Sequence, residues 1–161
     1  MKINRQQLIA NRPETFEEDV DYSSFEFDPN YLRGIPFCHA KVEATQYEDL
    51  LRMYCEIEAK VIAVCAYTLE DVELDIKVKD EITFTDDKED DSCELIEGNI
   101  IDLDEKLLAL ILSKVPPKVV KKGAKLPESG NGYRVLTEDE LAKERENKTD
   151  SRWDILDNLD L

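Results

Sequence analysis

The chain has 161 residues, of which 42% are apolar and 37% charged, and its net charge is −17. That length suits one domain with a short appendage, and that acidity argues against non-specific nucleic-acid binding, since phosphates are repelled over most of the surface. The longest apolar runs, Val61–Tyr67 and Leu107–Leu112, fall far short of the roughly 20 residues of a membrane helix, and MKINRQQLIANRPETFEE has no apolar secretory core, so a cytoplasmic protein with no membrane association is expected.

In chain order, a short helix is expected around Arg5–Asn11 and a strand around Thr15–Asp21. Three segments then alternate with period two. Cys38, Ala40, Val42 and Ala44 form the apolar row of Phe37–Ala44, and Met53 to Cys65 keeps its odd positions apolar. In Val72–Phe84 the even positions are apolar except Asp80. Period two with one wet face predicts antiparallel strands, and the short gaps predict hairpins. At Val61–Val64 both faces are apolar, so a second covering element is expected there.

The acidic run Asp86–Asp91 separates the third strand from a short strand at Glu94–Ile101. A helix follows, with Asp102 as N-cap, Glu105 three residues on, and an apolar face of Leu103, Leu107, Leu108, Leu110, Ile111 and Leu112. Pro116 and Pro117 stop it. Near the C-terminus Thr137 and Glu140 form a capping box, with Leu136 and Leu141 placed as a hydrophobic staple. A last apolar patch holds Trp153, Ile155, Leu156 and Leu159. The expected organisation is an α+β domain over residues 1–135 and a helical, partly flexible tail over 136–161. The expected fold is a curved antiparallel sheet, of a kind that can approach a barrel, covered by a helix.

Cys38 and His39 are adjacent, but neighbours on a strand point to opposite faces, so Cys38 belongs to the core and no catalytic residue is expected. Cys55 and Cys65 sit in the same kind of apolar row. The four cysteines contain no CxxC, and DDKEDD lacks the spacing of a calcium loop, so no metal and no cofactor are expected. No phosphate-cradle or hydrolase motif occurs.

One stretch runs against the acidic background. Lys114–Leu136 carries Lys114, Lys118, Lys121, Lys122, Lys125 and Arg134 against a single acidic residue, Glu128. It reads either as a charged loop balancing the acidic body or as a contact for RNA phosphates, with Tyr133 as a stacking group.

CAYTLEDVELDI from Cys65, the run Glu97–Leu126, and GNGYRVLTEDELAKERENKTDSRWDIL resemble the YceD family of large ribosomal RNA subunit accumulation proteins, in the version of Gram-positive-type bacteria. The best-marked pieces are Cys65 with Leu69, the Gly-Asn-Ile-Ile-Asp-Leu lead into the helix, and the proline closing it. Many members of that family carry a cysteine cluster after this proline, whereas KVVKKGAKLPESGNGYR has none, so metal binding does not carry over. The resemblance implies a non-enzymatic role in accumulation of large-subunit (23S) ribosomal RNA. The expected partner is that RNA or the pre-ribosome, met through the basic stretch. The alternative is an acidic holder of a small basic ribosomal protein, using Asp86, Asp87, Asp90 and Asp91.

Overall fold

The computed structural model describes residues 1–146, apart from Asp49, Asp91 and Glu97. Among the described residues there are seven strands: β1 (Lys2–Asn4), β2 (Pro13–Asp19), β3 (Leu32–Gln46), β4 (Leu50–Val64), β5 (Asp71–Thr85), β6 (Glu94–Leu95) and β7 (Ile100–Asp102). Two α-helices follow, α1 (Asp104–Lys114) and α2 (Glu138–Glu146). Strands β2 to β6 form one sheet in chain order, while β1 and β7 pair separately.

The three alternating segments are the three long strands, joined by hairpins in unbroken antiparallel register from Leu50↔Thr85 to Val64↔Asp71 between β4 and β5. The sheet as a whole is mixed rather than antiparallel, because β6 joins β5 in parallel. It is also open rather than barrel-like. Its outer strands are a seven-residue β2 that starts at Pro13 and a two-residue β6, which leaves no pair of edges long enough to close.

The inner row of the sheet is the core. Ala40, Val42, Ala44, Leu51, Met53, Cys55 and Val61 are fully buried. Leu103, Leu107 and Ile111 cover them from the helix side, and Ile3 and Ile101 from the β1–β7 pair. Tyr22 closes one end, its hydroxyl donating to the Asp104 carbonyl at 3.0 Å.

Strand β3 starts earlier than alternation allows. Its buried positions Leu32, Ile35 and Cys38 are three residues apart, because register shifts lie between Leu32 and Gly34 and between Gly34 and Phe37. Each shift absorbs one extra residue, so a period of three still points inward. Pro36, which has no N–H for a ladder, sits within this irregular stretch.

Other expectations shift. Only Arg5–Gln7 of the first helix forms, as a 3-10 turn. The strand expected over Glu94–Ile101 splits into β6 and β7 around Gly98, whose φ of 86° bends the chain from one sheet to the other. Leu103 rather than Asp102 caps α1, although the Asp102 carboxylate still accepts the Asp104 N–H at 3.1 Å. The residues of the last apolar patch, Trp153, Ile155, Leu156 and Leu159, lie outside the described residues.

The wet face of the sheet is a charge lattice. Glu17 pairs with Lys41 at 3.3 Å, Glu56 with Lys79 at 2.5 Å, Asp19 with His39 at 2.7 Å, Glu58 with Lys77 at 2.6 Å, and Asp75 with Lys60 at 3.9 Å. Each pair is directly opposite in register, where side chains stand closest.

Candidate nucleic-acid interface

The basic stretch begins where α1 ends. Val115 is extended ahead of Pro116, as the proline ring requires of the residue before it. Val115 joins the core, its carbonyl accepting from the Tyr31 hydroxyl at 3.2 Å, and the chain then docks back onto the β4–β5 turn through Val119; both valines are buried. The Ala66 N–H donates to the Val119 carbonyl at 2.8 Å, and Val119 makes a parallel bridge with Cys65. The first half of the stretch is therefore anchored, not a free loop.

Cys65 is the hinge of this contact. It has no solvent exposure, yet it lies just under the rim of the fold, where the chain turns through Leu69 at a φ of 59°. The Leu69 N–H donates to the Cys65 carbonyl at 2.9 Å. The Cys65 Sγ accepts the Lys121 N–H at 3.4 Å. That bond, then the Thr68 hydroxyl and the Tyr67 and Thr68 amides, favour the thiolate over a smaller opposing effect of burial and bring the thiol down to about 7. Cys38 and Cys55 go the other way, pushed up to about 11 chiefly by burial. Cys38 is buried while His39 turns outward to Asp19, so the adjacent pair forms no dyad.

The cationic side chains divide into two groups. Lys118 reaches Glu138 of α2 at 2.8 Å and lies 5.2 Å from the centre of the Tyr67 ring. The hydrogen bond to Glu138 raises its pKa. Lys121 pairs with Glu70 at 3.1 Å, and Arg134 with Glu144 at 2.5 Å. Lys114, Lys122 and Lys125 are exposed and form no ion pair among the described residues. Tyr133 is 61% exposed, and its ring lies over the α-carbon of Gly130, where any Cβ would collide with it. Gly132 completes this turn at a φ of 87°. The tail helix starts on the expected capping box: the Thr137 N–H donates to Glu140 at 2.8 Å and the Glu140 N–H to Thr137 Oγ1 at 3.1 Å.

The acidic run is occupied internally. Arg5 grips Asp86 with two bonds, at 2.7 and 2.5 Å, which holds the Asp86 carboxyl below its usual range. Asp87 accepts the Glu89 N–H at 2.9 Å, and Asp90 the Ser92 N–H at 3.0 Å. Asp91 lies outside the described residues. Among the described residues no group of His, Cys, Asp and Glu is arranged to hold a metal ion, and no helix is long and apolar enough to cross a membrane.

Sequence reasoning missed the residues that hold the basic stretch in place: Cys65, Tyr67, Glu70, Glu138 and Glu144. Only Cys65 carried a signal, through its spacing from Leu69.

These features define an α+β protein that holds a partly neutralised cationic segment against one end of a charge-laddered sheet. The chain belongs to the YceD family: the model described as "Large ribosomal RNA subunit accumulation protein YceD" matches residues 53–160. The match takes in most of β4, then β5, α1, the basic stretch and α2. No curated protein and no solved structure matches the chain.

Proposed function

We propose that this protein is a non-enzymatic cytoplasmic factor in the accumulation of large-subunit ribosomal RNA, and that it touches that RNA or the pre-ribosome through the 114–134 segment. Family membership supports the process. The observation that carries the contact is the set of exposed lysines, Lys114, Lys122 and Lys125, that form no ion pair among the described residues, on a segment anchored at Val115 and Val119. Unpaired ammonium groups can replace counterions on phosphates without first breaking an internal salt bridge. Tyr133 offers an exposed ring for stacking on an unpaired base.

The holder of a basic ribosomal protein has less behind it. Asp86 is bound to Arg5, and Asp87 and Asp90 bond their own loop. Binding of ribosomal RNA fragments to K122E/K125E tests the main reading. Affinity should fall about tenfold or more and the salt dependence should flatten by between about 1 and 2 units of slope. Unchanged affinity would remove the segment as the contact.

A further inference from the structure

The charge lattice on the wet face stops at β5, and it stops on cations. β6 meets β5 only at Phe84 and Thr85, so Asp71–Thr83 has no strand partner on its outer side among the described residues. The rows read Glu17, Lys41, Glu56, Lys79 and Asp19, His39, Glu58, Lys77 across four strands. The next column in that alternation would be acidic.

The same strand from a second copy supplies it. When β5 pairs antiparallel with itself about Ile76, Lys77 stands opposite Asp75 of the other copy, and Lys79 opposite Glu73, each twice by symmetry. On the core side Ile76 meets Ile76 and Leu74 meets Val78. Other registers set like charges opposite one another nearer the centre of the pairing: centring on Asp75 keeps Lys77 opposite Glu73 and Lys79 opposite Asp71 but sets Asp75 against itself on the axis. Centring on Val78 sets Lys77 against Lys79 and Asp75 against Glu81, while centring on Leu74 sets Glu73 against Asp75.

We infer that the open edge of β5 is a self-association surface, pairing two copies antiparallel about Ile76 and extending the charge lattice across the dimer. Several features oppose it. Asp71 faces Glu81 at the ends of the pairing, but Arg33 holds Asp71 at 3.4 Å and Arg52 holds Glu81 at 3.9 Å within each chain. Asp80 falls in the inner row opposite Val72, and in the single chain it is exposed. Lysines and an inward carboxylate on an edge are also the usual guards against pairing. A single strand pair buries little area, so the dimer is a weak one, and the net charge of −17 on each chain makes it weaker at low salt.

Sedimentation equilibrium of the full chain over a wide concentration range, at physiological salt, tests this. Wild type should shift from monomer towards dimer mass. K77E/K79E and E73K/D75K should each lose about tenfold or more in self-association, since each places like charges opposite one another. An equimolar mixture of the two variants should recover association, because all four cross-strand pairs are then complementary again. Circular dichroism of each variant checks that it is folded, and the mixing result is read only for folded variants. A wild type that stays monomeric throughout overturns the inference, as does self-association that neither variant changes or folded variants whose mixture stays monomeric.

Discussion

The lysines of the sheet and the lysines of the 114–134 segment meet their counter-charges differently. On the sheet, Lys41, Lys60, Lys77 and Lys79 each face a carboxylate directly across a strand pair, so backbone register makes the pairing. In the segment, Lys118, Lys121 and Arg134 find partners only because the chain folds back on the β4–β5 turn and α2, while Lys114, Lys122 and Lys125 find none among the described residues. The lesson is that counting basic residues overstates what a partner can use. Exposed pairs contribute about 0–1 kcal/mol to stability, yet each one takes a cation out of easy reach of phosphate.

Breaking the anchor should have the largest effect. Val119→Asp puts a charge into the buried contact beside Cys65 and should cost about 3 kcal/mol in chemical denaturation. A loss under about 1 kcal/mol would mean the segment is not docked. Next, K122E/K125E should cut affinity for ribosomal RNA fragments about tenfold, while K41E/K60E on the sheet should change it by less than about twofold. Equal losses would show that the whole surface, not the unpaired set, meets RNA. A smaller gain is expected when α2 releases its cations. E138Q/E144Q frees Lys118 and Arg134, so RNA affinity should rise about two- to threefold. A fall would mean those ion pairs order the contact rather than mask it.

The finest distinction is a pH dependence. The Cys65 thiol, ordinarily near 9, is lowered to about 7 in the folded chain. Between those values the unfolded chain binds more protons, so stability should rise with pH and be lost as pH falls through about 7. Cys65→Ser should flatten that slope in denaturation curves taken across the interval. An unaltered slope would assign it to other groups.

The long strands were legible because one face is wet and one dry, which writes period two into residues 38–44, 53–65 and 72–84. The capping box at Thr137 was legible because its partners are three residues apart. The stretch before Cys38 was not, since bulges replace a spacing of two by three and hide Leu32 and Ile35 from an alternation test. β1 and β7 are three residues each, too short to carry a period. The basic stretch was visible as composition, but its pairing was not: Lys121 and Glu70 are 51 residues apart, and nothing local links them. Cys65 read as one more core cysteine, because an apolar row does not show which end of it meets backbone amides.

Gly130 gives experimental access to Tyr133. With only hydrogen on its α-carbon, it lets the ring lie close against the chain. Gly130→Ala leaves the phenol chemically intact but forces it off its seat, and the ring is the mobile end of a side chain, so the fold has little to lose. The substitution therefore separates having an aromatic group at this turn from having it in the right place.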